Sequence, residues 1–356
     1  MADSVSKILE KSVAGGRLSF ADGLALMNSN DLILIGLAAD TVRRRLHPEP
    51  LVTFVIDRNI NYTNICRTKC RFCAYYRSEG DPDAYVLTYE EIFEKIREMV
   101  ECGGTQLLMQ GGLHPGLPFK YYLDMLRAIK ERFDVHIHSF SPPEIVHFSK
   151  MSGLPVREVL QQLRMAGLDS MPGGGAEILD NRVRKYISPH KISWEQWIDV
   201  MTTAHELGMK TTATMMFGSV ETMAERVMHF IRIRDAQDRT GGFRAFIPWS
   251  FQPSNTELGG ETATGVDYLK TLAISRLLLD NVPNIQASWV TQGAKMAQVS
   301  LNFGANDFGG TMLEENVVRA AGVVNRVPLE DIIRSIKGAG FKPAQRNTGY
   351  DIIKYY

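Results

Sequence analysis

Short β-like runs alternate with helical runs along this chain, and that alternation limits the folds it can adopt. From residue 51 onward, strands are predicted at 51–57, 105–110, 135–140, 167–171, 210–217, 244–251, 284–289 and 298–303. Helical segments such as YEEIFEKIREMVECGG lie between most of them and end in glycine, as a helix C-cap requires. Repeated βα units predict a parallel α/β sheet with helices outside it, and this number of units predicts a TIM-like (β/α) barrel.

The rest of the chain is organised around that barrel. Residues 1–50 are predicted to form an N-terminal helical segment, residues 51–312 the barrel, and residues 313–356 a helical C-terminal extension packed on it. No composition shift marks a linker to a separate domain, and 356 residues are enough to bury one large core.

Polar residues recur on one face of several predicted strands. In the run VHIHSF, His136 and His138 share one face, while apolar residues share the other. The same two-residue alternation places Gln286 and Asn302 on the polar faces of later strands. An ordinary TIM barrel fills its interior with branched apolar residues. We therefore predict a wide barrel with a polar lumen; the alternative, that some of these strands face solvent, is rare for parallel strands.

Three of the four cysteines lie in one short segment. Cys66, Cys70 and Cys73 have the spacing C-x3-C-x2-C, and three thiolates on one loop can bind three irons of a [4Fe–4S] cluster. The open fourth iron can then bind a small molecule. The alternative is a zinc site, but zinc usually takes four ligands, commonly as two separated pairs, and no second pair is present. The remaining Cys102 is interpreted as a buried packing residue of a helix.

Composition and charge exclude some classes of partner. The chain has 40 basic and 40 acidic residues and no formal net charge, which gives no electrostatic case for binding nucleic acid or an anionic membrane surface. Its start lacks the apolar core of a signal peptide, and no apolar run approaches the length of a membrane span. We expect a cytoplasmic protein, which also suits an oxygen-sensitive cluster.

Two glycine-containing turns are candidate cofactor-binding elements. Gln110, Gly111 and Gly112 end the second predicted strand, where glycine allows close approach of the backbone. The run 172–177, PGGGAE, precedes a helix and can seat a ligand on its backbone N–H groups. Glu177 can accept hydrogen bonds from ribose hydroxyls; the alternative is a carboxylate stabilised by the dipole of the following helix.

Three side chains near predicted strand ends are candidate acid–base groups. His138 lies on the inward face of the third strand, and Glu144 follows that strand, where the active sites of barrels lie. Asp307 follows the last predicted strand between glycines and is the leading carboxylate candidate; its alternative role is a helix N-cap.

Together, several segments resemble one branch of the radical S-adenosylmethionine (SAM) enzymes. The resemblance is to the dehypoxanthine futalosine cyclase family of the futalosine route to menaquinone, and it runs from about residue 20 to the end. It rests on the strings NYTNIC, CRFCAYYR, QGGLHP, HIHSFSPPEI, PGGGAEIL, VRKYISPHK, PWSFQPSNTEL, SWVTQG and GANDFGGTMLEEN. Parts of these strings are shared with the aminofutalosine synthase and deazaflavin-forming FO synthase families.

The resemblance implies a set of cofactor contacts. The cysteine loop, with Phe72 before its third cysteine, would hold a [4Fe–4S] cluster whose open iron binds SAM. The turn 110–112 would meet the amino group of SAM, and Glu177 its ribose. Arg182 or Arg184 would clamp the SAM carboxylate, the alternative being an ordinary charge on a helix surface. A reducing partner such as flavodoxin or ferredoxin is also implied.

The resemblance further implies a reaction. A 5′-deoxyadenosyl radical would remove the C4′ hydrogen of dehypoxanthine futalosine, the carbon radical would attack the benzoate ring, and one-electron oxidation with proton loss would give cyclic dehypoxanthine futalosine. Asp307, His138 or Glu144 would take the proton, and Arg77 or Arg244 would bind the benzoate. The alternatives are a sibling radical SAM reaction and a non-catalytic iron–sulfur or zinc protein.

Overall fold

The structure, a computed structural model, describes residues 2–356, with side chains from residue 5 onward. Its helices are α1 (Ala2–Val13), α2 (Phe20–Met27), α3 (Leu32–Leu46), α4 (Tyr89–Glu101), α5 (Phe119–Lys130), α6 (Pro142–Ser152), α7 (Val156–Ala166), α8 (Asn181–Ile187), α9 (Trp194–Glu206), α10 (Met223–Thr240), α11 (Gly265–Leu278), α12 (Trp289–Ser300), α13 (Val317–Ala320) and α14 (Leu329–Gly338). Its strands are β1 (Leu51–Val55), β2 (Asp57–Ile60), β3 (Gln106–Met109), β4 (His136–Ser139), β5 (Ser170–Met171), β6 (Lys210–Phe217), β7 (Phe243–Ser250), β8 (Asn284–Ile285), β9 (Asp307–Gly310), β10 (Lys342–Arg346) and β11 (Ile352–Tyr355).

Two sheets join into one ring, and their strands are parallel except for β11, which pairs antiparallel with β10. Strands β2 to β8 form a seven-stranded sheet in chain order, and the second sheet has the order β11-β10-β1-β9. On one side the sheets are continuous through β1 and β2, which only Ile56 separates. On the other side, Ala287 N–H donates to the carbonyl of Asp307 at 2.8 Å, and Asn306 N–H donates to that of Ile285 at 3.1 Å. The predicted TIM-like barrel is thereby confirmed.

Alternation along the strands separates an apolar outer face from a polar inner face. Leu107 and Ile137 are fully buried in the apolar core, whereas His138 and Gln286 line the lumen. In the register of β3 and β4, Leu107 lies opposite Ile137. The polar lumen predicted from period two is confirmed at these positions, and the polar groups that will form the site come from this inner face.

One predicted strand is wrong. Residues 298–303 belong to the end of α12 and the turn after it, and Asn302 therefore has no place in the barrel wall. The strand of this region is β9, which begins at Asp307. Polar and apolar residues alternate over the six positions 298–303, and so short a pattern fits a last helical turn as well as a strand.

The C-terminal segment is only partly helical. After α13 and α14 the chain forms the hairpin of β10 and β11, and β10 pairs in parallel with β1, where Leu51 lies opposite Lys342. The hairpin turn inserts Thr348 and Tyr350 into one end of the lumen. The prediction of a helical extension on the barrel therefore missed β10, a strand of the second sheet. It also missed that Thr348 and Tyr350 close one end of the lumen, which we call the floor.

The N-terminal segment is helical, as predicted. Helix α2 packs on α10 and α3 on α11, on the outside of the barrel. Arg17 strengthens this docking by pairing with Asp238 and Asp280, with one bond of 2.8 Å from its Nε to Asp280. Within residues 2–356, none of the helices combines the length and the apolar character needed to cross a bilayer.

Candidate active site

The cysteine loop follows β2 at the carboxyl end of the barrel and is anchored by its backbone. Arg67 N–H donates to the carbonyl of Leu113 at 3.1 Å, and Arg71 N–H donates to that of Ile187 at 2.9 Å. Lys69 has a φ of 45°, a left-handed conformation that non-glycine residues adopt rarely. Backbone bonds to two different neighbours thus hold a loop that turns sharply between its cysteines.

The thiols of this loop suit a multi-iron cluster. Cys66, Cys70 and Cys73 are all unbridged. Burial raises the pKa of the Cys70 thiol to about 11. Burial also raises the pKa of the Cys73 thiol, but hydrogen bonds from the backbone N–H groups of Tyr75 and Tyr76 act in the opposite direction. In the described part of the chain, no three His, Cys, Asp or Glu side chains converge on a single ion. Three unbridged thiols on one loop can each bind a different iron of a cubane, so this donor set fits a [4Fe–4S] cluster.

Cys102 is not part of this set. It is exposed and forms the C-cap of α4. The prediction of a buried packing residue is wrong, because the helix ends at Glu101 and the side chain after it points to solvent.

The glycines of the second turn pack directly on the cysteine loop. A Cβ atom on Gly112 would lie 2.2 Å from the carbonyl oxygen of Ile65 and 2.9 Å from the Cβ of Cys66. A Cβ atom on Gly111 would lie 2.4 Å from the ring of Tyr62. Glycine is therefore required here by the contact between the two loops, which places the turn 110–112 beside the thiols.

Glu144 has a structural role, because its carboxylate holds the turn 110–112 and Tyr62 together. Its buried carboxylate accepts hydrogen bonds from Gly111 N–H at 3.2 Å, from the Tyr62 hydroxyl at 2.5 Å, and from the backbone N–H and hydroxyl of Ser141 at 2.7 and 2.6 Å. Burial raises its pKa. The side chain caps α6 and does not line the cavity. This corrects the prediction of an acid–base role, since all its contacts are with the protein.

Asp307 also differs from its prediction. It begins β9 rather than following the last strand, and its carboxylate forms a two-point ion pair with Arg346, at 2.5 Å from Nε and 3.0 Å from Nη2. The Thr53 hydroxyl at 2.5 Å and Gly309 N–H at 2.9 Å donate to the same carboxylate. With both oxygens bound in this way, Asp307 joins β9 to β10 and is poorly placed to accept a proton from a ligand.

Arg182 points away from the site. It is about half-exposed and pairs with Glu225 on α10 through its Nε, at 2.5 Å. The predicted clamp on a carboxylate is therefore not supported at this position. The neighbouring Arg184 is buried, but its guanidinium donates to the carbonyls of Gly175 and Ala176 and so supports the glycine turn from beneath.

Glu177 lies where its prediction requires. The residue is buried and lines the cavity, and its φ of 39° is again left-handed. Lys191 donates to its Oε1 at 2.7 Å, while its buried Oε2 has no hydrogen-bond partner. The Lys191 ammonium also lies 5.0 Å from the centre of the Phe72 ring. Arg184 Nη1 lies 3.8 Å from Oε2, within ion-pair distance but too far for a hydrogen bond. A buried acceptor in a cavity wall that still lacks a hydrogen bond fits a hydroxyl-bearing ligand. The sequence analysis assigned no role to Lys191.

A cavity of about 270 Å³ extends through the lumen between this region and the C-terminal hairpin. Its wall combines polar side chains with apolar ones such as Leu108, Ile247 and Trp249. Its lining includes Asp57, Asn59, Gln106, Gln110, His138, Gly173, Gly174, Gly175, Glu177, Arg244, Ile247, Trp249, Gln286, Arg346, Thr348 and Tyr350. The mixture suits a ligand that combines a flat ring with hydroxyl groups.

Asp57 is a cavity carboxyl that the sequence analysis missed. Its Oδ1 accepts from Met312 N–H at 2.9 Å, and Gln106 Nε2 donates to Oδ2 at 3.3 Å. Burial raises its pKa to about 6. The only hint in the sequence was an acidic residue within an apolar strand, since its neighbours come from distant segments.

His138 faces the cavity as predicted and is held in place by a serine. Its Nδ1 lies 2.6 Å from Ser170 Oγ, and the neighbouring His136 shares the same hydroxyl at 2.7 Å. Burial, followed by the nearby charge of Arg244, lowers the pKa of His138 well below 6.5. The ring is therefore neutral near pH 7 and a weak base.

Only one of the two candidate partners for a carboxylate faces the cavity. Arg77 pairs with Asp83 at 2.6 Å and donates to carbonyls of its own loop, including that of Tyr76 at 2.8 Å. Arg244 lines the lumen near the hairpin.

Known proteins similar to this chain point to one superfamily. Residues 60–231 match the radical SAM superfamily, and residues 240–355 match the CofH/MqnC C-terminal region. The chain is 51% identical over 355 residues to a Halalkalibacterium halodurans protein named cyclic dehypoxanthine futalosine synthase, covering 99% of this chain and 96% of that protein. It is 43% identical over 357 residues to the aminodeoxyfutalosine synthase of Thermus thermophilus, covering 98% and 96%.

A solved structure supports the same fold. The crystal structure of methylornithine synthase (PylB) superposes with a TM-score of 0.75 and covers 95% of this chain and 97% of that one. The two sequences are only 19% identical, so the likeness concerns the fold alone.

Proposed function

This chain belongs to the radical SAM superfamily, and we propose that it closes a carbon–carbon bond within dehypoxanthine futalosine to form cyclic dehypoxanthine futalosine. The 51% identity to the cyclic dehypoxanthine futalosine synthase of Halalkalibacterium halodurans supports this choice over sibling reactions. The observation that carries it is the cavity, whose lining combines polar side chains and the Trp249 ring with the cation Arg244. A substrate made of a sugar and a benzoate matches those parts.

The residues at the carboxyl end of the barrel would hold the cofactors. We assign Cys66, Cys70 and Cys73 to a [4Fe–4S] cluster, with the turn 110–112 and Glu177 beside SAM. When bound, these cofactors supply a 5′-deoxyadenosyl radical. In the proposed reaction, C4′ of the sugar loses its hydrogen atom and bonds to the benzoate ring. The cyclised radical then loses a proton to a base and one electron to a one-electron acceptor, such as the oxidised form of the flavodoxin or ferredoxin partner, which completes the product.

We assign the last proton to Asp57. Its carboxyl lines the cavity and its pKa, raised to about 6 by burial, leaves it mostly ionised near pH 7 yet more basic than an exposed aspartate. His138 also faces the cavity, but its lowered pKa makes it the weaker base. The Asp57 carboxylate accepts two protein hydrogen bonds, whereas those of Asp307 and Glu144 each accept four. Neither Asp307 nor Glu144 lines the cavity.

The reductant is proposed to be a flavodoxin or ferredoxin. Arg67 and Lys69 are exposed on the cysteine loop itself, and such cations attract an acidic protein partner to the point where an electron must enter.

Labelled substrate tests the proposal. Anaerobically reconstituted protein should convert dehypoxanthine futalosine into a product that lacks two hydrogen atoms, seen by mass spectrometry. Deuterium at C4′ should appear in 5′-deoxyadenosine, because positioning in the lumen leaves one hydrogen within reach. Label arriving from another sugar carbon, or SAM cleavage with unchanged substrate, would favour a sibling reaction.

The role of Asp57 has its own experiment. Asp57→Asn should still transfer deuterium from C4′ to 5′-deoxyadenosine but form little closed product, since the step that needs a base comes later. Asp134→Asn, a change at an exposed aspartate, should behave as the wild type. Equal loss of label transfer and product in Asp57→Asn would assign Asp57 to binding instead.

A further inference from the structure

Arg244 is a cation in the lumen without an acidic partner. Its Nη2 donates to the carbonyl of Lys210 at 3.1 Å and its Nη1 donates to that of Thr348, but its buried Nε has no hydrogen-bond partner. Within residues 5–356 no carboxylate lies within ion-pair distance of it. Burial lowers its pKa to about 10, so it remains charged near pH 7. A buried charge without a counter-charge is costly, and an anionic ligand would offset that cost.

Two hydroxyl groups at the same floor are also unpartnered. The Oγ1 of Thr348 and the Oη of Tyr350 are buried, and neither has a hydrogen-bond partner. Thr348 as a whole is 4% exposed. Buried hydroxyls in native proteins nearly always form hydrogen bonds. The Nε of Arg244 and the hydroxyls of Thr348 and Tyr350 are three donors without an acceptor, which indicates that a ligand supplies one.

The hairpin turn is built to present these groups. Asn347 N–H donates to the carbonyl of Asp351 at 2.9 Å, which closes the turn between β10 and β11. Tyr350 has a φ of 72°, a strained conformation for a large residue, and its ring covers the guanidinium of Arg346 at 3.9 Å. Strain of this kind persists where the surroundings enforce it and is concentrated at ligand sites.

The charges around the floor leave one cation uncompensated. Arg346 is neutralised by Asp307, and His138 is neutral because its pKa is lowered. Arg244 then remains as a single positive charge, flanked by hydroxyl donors and, along the wall, by Ile247 and Trp249. This combination matches a monoanionic carboxylate attached to an aromatic ring.

We propose that Arg244, Thr348 and Tyr350 form a subsite for the carboxylate of an aromatic acid at the floor of the lumen. Resting on the proposed function, the subsite takes the benzoate of the substrate and so sets its direction in the barrel. Arg244 is the second residue of β7, at the amino end of the strands, whereas the cysteine loop follows the carboxyl end of β2. The sugar of a substrate anchored at the floor therefore points towards the cysteine loop.

Binding measurements without turnover test this subsite. Isothermal titration of the anaerobic protein with benzoate and with benzamide compares the charged group with a neutral one of the same shape. The wild type should bind benzoate more tightly. Arg244→Gln should weaken benzoate by about 10- to 100-fold, the range of a lost charged hydrogen bond, and leave benzamide nearly unchanged. Arg157→Gln, at an arginine on the outer surface, is the matched control.

Tyr350→Phe removes a single hydroxyl and keeps the ring, so it gives a second measurement if Arg244→Gln does not fold. This variant should bind benzoate more weakly, so the ratio of its affinities for benzoate and benzamide should be smaller than in the wild type. A wild type that binds both probes equally, or an Arg244→Gln or Tyr350→Phe variant with the wild-type preference, would overturn the subsite. A retained preference in a protein that forms no cyclic product would instead overturn the proposed function and leave the subsite standing.

Discussion

Replacing Asp307 by asparagine distinguishes a structural ion pair from a catalytic base. The side chains of Asp307 and Arg346 are 0% and 5% exposed, and the pair ties β9 to β10. Asparagine has nearly the same shape but no charge, so Arg346 keeps its position while losing its counter-charge. We expect the folded state to lose stability, because a buried guanidinium is left unpaired.

The size of the effect follows from the burial of the pair. Removing one partner of a buried ion pair costs about 3–5 kcal/mol. An unfolding entropy of about 2.1 cal/mol/K per residue over 356 residues gives about 0.7 kcal/mol per degree at Tm. Asp307→Asn should therefore lower Tm by about 4–7 °C.

The assay is thermal unfolding under anaerobic conditions, combined with deuterium transfer from C4′ measured below the transition. Asp307→Leu combined with Arg346→Met removes both charges and should be more stable than Asp307→Asn, because no unpaired cation remains. A variant Asp307→Asn with the wild-type Tm, normal label transfer and no closed product would refute this reasoning and restore Asp307 as the base.

Three further predictions follow from the site. Gly112→Ala should lower the free energy of unfolding by about 1–3 kcal/mol and reduce the iron content of the reconstituted protein, because its Cβ would overlap a backbone oxygen. Gly116→Ala is the control: its Cβ would meet only side-chain atoms at 3.5 Å or more, so its stability and iron content should match the wild type. Cys70→Ala should abolish SAM cleavage and Cys102→Ala should retain it, measured as 5′-deoxyadenosine formed. Burial raises the pKa of Asp57 from 3.8 to about 6 in the folded state, so the free energy of unfolding should fall as pH rises through this range. In denaturant titrations, the free energy of unfolding of Asp57→Asn relative to that of the wild type should rise by about 2 kcal/mol between pH 4 and pH 7.

The barrel was predictable because most of its strands are buried on both sides and bounded by clear turn residues. The run 210–217, for example, is β-rich and became β6 as predicted. The segment 298–303 failed because six alternating residues do not distinguish a strand from the end of a helix. The hairpin of β10 and β11 was missed because its pairing with β1 joins residues almost 300 positions apart, as Leu51 and Lys342 illustrate.

The site was predictable where chemistry is local in the chain. The spacing of the cysteines and the position of Glu177 follow from short motifs, and the structure places both at the carboxyl end of the barrel. The role of Asp307 was not predictable, because it depends on Arg346, which lies 39 residues away. Asp57 was missed for the same reason, since its partners Gln106 and Met312 meet it only in the folded barrel.

The position of the floor hairpin after all the other strands has a consequence for biosynthesis. Because synthesis runs from the N-terminus, a ribosome makes β10 and β11 after β1 to β9. Until then the lumen has no floor, and Arg244 lacks its neighbours Thr348 and Tyr350. A nascent or C-terminally truncated chain can thus carry the complete cysteine loop without a closed chamber around it. The lumen is therefore closed at this end only once β10 and β11 have been made.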